Sequence, residues 1–379
     1  MPNIKSIRDG SVHLYGQNAA IDRVDRAVRR AFSGLLDTKG KPRLSMLLLG
    51  PSGVGKTETA KALAEALYGN RDKVARFNAN ECATEGGQFK AFGPPRGYLG
   101  SDKGGQLTQD VKKFHGHCVI LIDEIEKGSQ EIFDGLMTGL DEGYFEDASF
   151  GERISIENCV LVMTSNVLAD RDLSELDDTE LRTAISGARV TNTRNQSTTP
   201  FRPEFMGRIQ EVICYDQLKP EDIASIVAHK YQRSIAVNIA VQTKLLMLDL
   251  SPIALGYITD QVTGSRFGVR HVDQVLSREI VDRVIDMGDA LPTDRKCWYV
   301  WDYRDGKLEL INVHKQGIAF LREQRGEDHQ TTNDYLLRLS KQLIARAREV
   351  QNATPRSVAA KTPQPVGGKP AEPSRYIVR

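Results

Sequence analysis

The sequence predicts an α/β fold: a parallel five-stranded sheet flanked by helices, then a smaller α-helical lid domain carrying a β-hairpin. Three observations point to it. Five short apolar runs, Met46–Leu49, Val74–Phe77, Val119–Ile122, Val160–Thr164 and Val212–Tyr215, have the length and character of strands buried on both faces. Helical periodicity lies between them, as in Ile132–Leu140, where Ile132, Phe133, Leu136, Met137 and Leu140 are apolar. After Pro220 the pattern changes to helices at about 220–240, 252–263 and 269–287. These are closed by Trp298–Asp302 and Leu308–Asn312 around the hairpin turn Asp305-Gly306.

Length and composition bound the rest. A chain of 379 residues is long for one core. We divide it into an arm (1–13), a large domain (14–217), a small domain (218–313), a helical extension (314–350) and a tail (351–379). In the extension Leu336, Leu339, Leu343 and Val350 recur near a 3.5-residue period, which suits packing on the small domain or a partner contact. Five of the 15 prolines fall within 353–379 among almost no large apolar groups, so the tail is expected to be disordered. A net charge of +1 argues against a generally basic nucleic-acid-binding surface. Five scattered cysteines without a C-x-x-C pair suit reduced thiols rather than a disulfide framework or zinc site. No apolar run approaches the ~20 residues that span a bilayer, and the first residues lack a signal-peptide core, so a cytoplasmic protein is expected.

Chemistry enters after the first strand, ahead of a helix with Ala60, Leu63, Ala64 and Leu67 on one face. Gly50-Pro51-Ser52-Gly53-Val54-Gly55-Lys56-Thr57, followed by Glu58, matches the phosphate-loop spacing G-x-x-x-x-G-K-[ST]. Glycines let the backbone N–H groups curl around a phosphate, and the helix N-terminus adds its dipole. Lys56 can reach the β- and γ-phosphate oxygens, and the Thr57 hydroxyl can ligate Mg²⁺. ATP and Mg²⁺ are the expected cofactors. Val119-Ile-Leu-Ile is an apolar strand ending in Asp123 and Glu124, which would hold Mg²⁺ through water and orient the attacking water, respectively. Asn166, directly after the strand Val160–Thr164, is either a turn residue or an amide facing the γ-phosphate. Arg208 and Arg266 are either surface ion-pair residues or cations that neutralise a transferring phosphoryl group.

Together these stretches resemble the AAA+ superfamily, and within it the second ATPase ring of the Clp-type unfoldases and disaggregases. The match is carried by Tyr15-Gly-Gln-Asn-Ala-Ala-Ile, Gly50–Thr57, Gly97-Tyr-Leu-Gly, Leu121–Lys127, Leu140-Asp-Glu-Gly, Met163–Asn166, Phe201–Ile209 and Gly264-Ser-Arg. The resemblance implies that Leu14 and Tyr15 border the adenine, that Asn166 and Arg266 are the two sensors, and that Arg208 reaches a neighbour's nucleotide. A finger acting in trans requires a ring, a homo-hexamer by that resemblance. Tyr98 and Leu99 resemble the pore loop with which the family grips a polypeptide. The glycines flanking them would let the loop swing, and an aromatic ring grips without reading sequence. A second pore-facing loop is expected in Gly143–Gly151, with Tyr144, Phe145 and Phe150 as candidates.

Some features depart from that family. Arg96 adds a charge beside Tyr98, Gly207 replaces an Asn before the finger, and the family's N-terminal domain and first ring have no counterpart here. An acidic Asp170–Asp178 run and a polar Thr191–Thr199 loop replace the tripeptide with which some members dock a proteolytic chamber, so no such partner is expected. The expected function is an ATP-driven unfoldase or remodelling motor acting on polypeptide, with an adaptor docking on 314–379. The alternatives are a nucleic-acid motor or loader, and an ATPase that disassembles one dedicated secretion or mobile-element complex. Pores for nucleic acid are expected to be lined with Lys and Arg rather than Gly-Tyr-Leu-Gly.

Overall fold

The computed structural model describes Ile7 and residues 14–312, apart from 36–38, 84–85, 174–175, 192–196, 240–246, 265–267 and 289–297. Arg266, the arm but for Ile7, the extension and the tail therefore lie outside the described residues.

Helix α1 (Asn18–Ala31) buries Ile21, Val24 and Val28 and leads into strand β1 (Leu44–Leu49). Helix α2 (Lys56–Tyr68) follows the phosphate loop and stops at Gly69, whose φ of 70° takes the left-handed cap that a side chain would resist. Strand β2 (Val74–Asn78), short helix α3 (Gln88–Phe92), helix α4 (Gln106–Lys113) and strand β3 (Val119–Asp123) come next. Helix α5 (Gln130–Glu142) enters a hairpin of β4 (Tyr144–Asp147) and β5 (Glu152–Ser155), which returns the chain to β6 (Val160–Ser165). Helix α6 (Asp178–Ser186) starts on a capping box made by Asp177 and Glu180. Within the expected polar loop, β7 (Val190–Thr191) and β8 (Ser197–Thr198) form a two-residue ladder. Short helix α7 (Pro203–Met206) then precedes β9 (Glu211–Cys214).

All five expected strands form one parallel sheet in the order β2-β3-β6-β1-β9. Every residue of β1, β3 and β6 is buried, because helices cover both faces and leave no wet side for alternating polar residues. The two faces make separate apolar clusters. One holds Leu47, Ile120, Phe133 and Phe205; the other holds Val24, Met46, Leu63 and Val162. The strands' carboxyl ends bring Gly50, Asp123, Asn166 and Asp216 to one rim, where open α/β sheets bind their ligands.

Helix α8 (Pro220–Lys230) begins the smaller helical part, which has its own core of Val227, Tyr231, Ile258, Leu276 and Trp301. Strands β11 (Trp298–Arg304) and β12 (Lys307–Asn312) form the expected hairpin, turning at Asp305 and Gly306, both at positive φ. A further strand, β10 (Met247–Leu250), pairs parallel to β11 and was not legible beforehand. Among the described residues no helix is long and apolar enough to cross a membrane.

Of the three aromatics expected in a second pore-facing loop at Gly143–Gly151, the structure removes Phe145. Phe145 is 1% exposed and packs on Phe92, with ring centroids 5.4 Å apart. Gly139 admits it, since a Cβ there would lie 2.3 Å from the Phe145 ring. Strand alternation along β4 turns Phe145 and Asp147 inward. Tyr144 is half-buried under the Arg153 guanidinium, 4.6 Å from its ring centre, and Phe150 is half-buried as well.

Candidate nucleotide site

Between β1 and α2 the loop makes a tight turn that depends on one glycine in particular. Gly50 has a φ of 139°, and a Cβ there would lie 2.5 Å from the Tyr215 carbonyl oxygen. Pro51, Ser52 and Gly53 stay at the surface, whereas Val54 is buried and turns the loop into the helix. Lys56 is 8% exposed. Its ammonium donates to the carbonyls of Gly50 and Pro51 and, at 2.9 Å, to Asn166 Oδ1. Burial pushes the ammonium down to about 8; Glu126 opposes that shift and Arg270 adds to it. A buried cation whose partners are neutral oxygens suits an anionic phosphate.

Asp123 ends β3 at 5% exposure, and its two oxygens have different partners. Oδ1 accepts from the hydroxyls of Thr57 at 3.1 Å and Thr164 at 3.0 Å. Oδ2 accepts from Arg76 Nε at 2.8 Å and Nη2 at 2.7 Å. Thr57 and Asp123 are thus adjacent, as a hydrated Mg²⁺ shared between hydroxyl and carboxylate needs. Glu124 sits at φ 53°, a left-handed conformation rare for a residue with a side chain. Its N–H donates to the Thr164 hydroxyl at 3.1 Å, and its Oε2 pairs with Lys127 at 2.7 Å. Glu126 lies beneath, 7% exposed, accepts the Asn166 N–H at 3.3 Å, and is pushed up by burial.

Asn166 is therefore held at two points. With Oδ1 taken by Lys56, its Nδ2 remains the donor available to a ligand or water. A cavity of about 460 Å³ is lined by Lys56, Thr57, Asp123, Glu124, Asn166 and Arg270. It opens beside a second of about 520 Å³, lined by Leu14, Tyr15, Val54, Leu218, Ile226 and His229. The first is rich in charge. The second suits an aromatic base, with the Tyr15 and His229 rings 6.1 Å apart. Glu58 also borders this cavity and is ion-paired with Arg71. Gln17 fastens the segment: its amide donates to the Asp216 carbonyl at 2.8 Å and accepts the Asp216 N–H at 3.1 Å.

Tyr98 and Leu99 stand apart from both cavities, 61% and 103% exposed, between Gly97 and Gly100. Arg208 is also distant from the phosphate cavity, held by Asp141. Two site residues escaped the sequence. Arg76 interrupts an apolar strand beside the one that ends in Asp123, and that charge was the available signal. Arg270 lies four residues beyond Arg266 in the sequence. Its Cγ is 3.8 Å from where a Cβ on Gly53 would stand.

Residues 41–212 match the model of the AAA domain (Cdc48 subfamily). The chain is 30% identical over 309 residues to chaperone protein ClpB 2 of Nostoc sp., covering 82% of this chain and 33% of that protein. It is 33% identical over 276 residues to the probable chaperone protein ClpB 1 of Chlorobaculum tepidum, covering 72% and 62%. Over 279 residues it is 34% identical to the mitochondrial chaperone protein ClpB4 of Arabidopsis thaliana, covering 73% and 28%. The chain thus spans between about three tenths and three fifths of these curated relatives. It belongs to the AAA+ ATPases, as a module of the ClpB type.

Proposed function

We propose that this chain is an ATP-driven protein-remodelling motor that works as a homo-hexameric ring and draws polypeptide through its centre. The observation that carries the reading is the pair Tyr98 and Leu99, two large, mostly exposed side chains on a glycine-bounded tip, with the Tyr98 ring keeping a contact to Phe89 at 6.0 Å between centroids. Isolated exposed apolar residues are ordinary, but here the tip belongs to the domain that carries a phosphate loop. The relatives named as chaperones support the choice of polypeptide as substrate.

In this reading the charged cavity receives the phosphates and the apolar cavity receives the adenine. Lys56 would exchange its carbonyl partners for phosphate oxygens, and Thr57 and Asp123 would hold the hydrated metal. Bound Mg²⁺ would supply neutralisation of phosphate charge. Glu124 leaves Lys127 to orient and polarise the attacking water, while Asn166 donates through Nδ2. Arg270 approaches from the helical part and would serve with Arg266 as the lid's contact with the phosphates. Arg208 completes the site of the next protomer.

The test uses two variants of the full chain. Glu124→Gln should bind ATP with unchanged affinity and hydrolyse it about 10²–10⁴-fold more slowly. Tyr98→Ala should keep its basal ATPase and lose unfolding of a tagged fluorescent protein. Full unfolding activity in Tyr98→Ala would refute the threading mechanism.

A further inference from the structure

Beneath the Gly97–Gly100 tip lies a set of hydrogen bonds that the chemistry above does not use. Asp147, the last residue of β4, is fully buried and accepts from four donors. Its Oδ2 takes the Gly105 N–H at 3.0 Å, the Thr108 hydroxyl at 2.5 Å and the Gln109 amide at 2.9 Å. Its Oδ1 takes the Ser149 N–H at 3.1 Å. Burial is the largest influence on this carboxyl and pushes it up; the four hydrogen bonds together outweigh burial and hold it below the usual range.

The other stem of the loop is fastened to the same turn. The Ala148 N–H donates to the Phe92 carbonyl at 2.8 Å, and the Ser149 hydroxyl donates to the Pro94 carbonyl at 2.8 Å. Arg96 Nη2 donates to the Phe150 carbonyl at 2.6 Å, so the charge noticed beside Tyr98 is a strut. The stems approach so closely that a Cβ on Gly105 would lie 2.3 Å from the Ala91 carbonyl. At the tip the reverse holds: nothing lies within 4 Å of a Cβ on Gly97 or Gly100. A clamped base thus carries a loose end, and the clamp is the end of β4, which α5 enters directly from the Asp123–Lys127 segment.

We propose that Asp147 and Arg96 are positioning residues that tie both stems of the Tyr98 loop to the end of β4 and the turn after it, which continue the chain from α5, so that the tip follows the phosphate site as one body. The inference rests on the reading of Tyr98 as the residue that grips polypeptide. Packed elements joined by satisfied buried bonds transmit displacement, whereas an untied loop fluctuates independently.

Hydrogen–deuterium exchange on the full chain, with ATPγS and with ADP, tests the proposal without a substrate. In the wild type, segments 92–109 and 144–151 should change protection together between the two nucleotides. Asp147→Asn replaces one of the two acceptor oxygens by an NH₂, so in either amide orientation at least one of the four donors loses its partner. In that variant 144–151 should still respond, while 92–109 exchanges about tenfold faster in both states. Arg96→Ala, at an exposed site that cannot cost the fold, should loosen 92–109 about threefold, and Arg96→Lys should restore it. Nucleotide-dependent protection of 92–109 in Asp147→Asn equal to the wild type would overturn the coupling, as would independent responses in the wild type. A Tyr98→Ala chain whose ATPase is still stimulated by fluorescein-labelled casein would refute the gripping role instead. The correlated exchange would survive that result, so the two failures are distinguishable.

Discussion

Arg208 is held by Asp141: its Nε lies 2.8 and 2.7 Å from the two carboxylate oxygens, and its Nη1 donates to the Glu204 carbonyl at 2.7 Å. Gly207 before it supplies no side chain to orient the guanidinium, and Asp141, at the end of α5, does so instead. Both side chains are partly exposed, 34% and 46%, so the pair can open when a stronger anion approaches.

If Arg208 serves the neighbouring protomer, two inactive variants should complement each other. Arg208→Ala keeps its own Glu124, and Glu124→Gln keeps its own Arg208. A random one-to-one mixture places the intact halves of a site together at about a quarter of ring contacts. ATPase measured on the mixture should recover toward that fraction, while each variant alone stays near background. A mixture as inactive as its components would place the finger in cis.

Arg76 predicts a dependence on Mg²⁺. Its guanidinium lies on the Asp123 oxygen opposite Thr57, so metal and arginine compete for one carboxylate. Arg76→Ala should lower the Mg²⁺ concentration needed for half-maximal binding of a fluescent ADP analogue several-fold. It should also destabilise the nucleotide-free protein by about 1 kcal/mol, because Asp123 keeps only its two hydroxyl partners. An unchanged Mg²⁺ titration would show that the pair is incidental.

Asp147 also gives a pH dependence. Its folded carboxyl is held below the ordinary value of 3.8, so the unfolded chain takes up its proton first as pH falls. Its contribution to stability is complete above that value and is lost as pH drops through the lower folded value. Urea midpoints measured between pH 6 and pH 3 should fall less steeply in Asp147→Asn than in the wild type. Equal slopes would remove Asp147 from the acid limb.

Phe145 and Tyr98 should separate as core and surface. Phe145→Ala is expected to cost about 3–5 kcal/mol through the cavity it leaves against Phe92 and Gly139. Tyr98→Ala is expected to stay within about 0.5 kcal/mol of the wild type. Chemical denaturation of the two variants checks the pair, and comparable losses would mean that the tip is packed.

Much of this arrangement was legible in advance because it is local. Apolar runs such as Val119–Ile122 declare buried strands without help from the rest of the chain, and Gly50–Thr57 declares a phosphate loop by spacing alone. What escaped depends on partners distant in sequence. β10 has four residues and becomes a strand by pairing with β11, about fifty residues later. Arg76 carries a charge into an otherwise apolar strand, and its partner Asp123 lies 47 residues on. Phe145 lies in a glycine-bounded segment expected to face a pore, and its pairing with Ile154 in the β4–β5 ladder is what turns it inward. Arg270 likewise reaches the site through its approach to Gly53, a residue more than 200 positions away that no local pattern reveals.

Gln17 and Asp216 are 199 residues apart in sequence, and one side-chain amide closes both backbone groups of the latter. Asp216 stands at the seam where the last strand of the sheet hands over to α8. The clasp fixes Tyr15, two residues before Gln17 and part of the lining of the cavity of about 520 Å³, to the point where the sheet passes into the helical part. If that cavity holds the base as proposed, any change of angle between the two parts would reach the base through Tyr15.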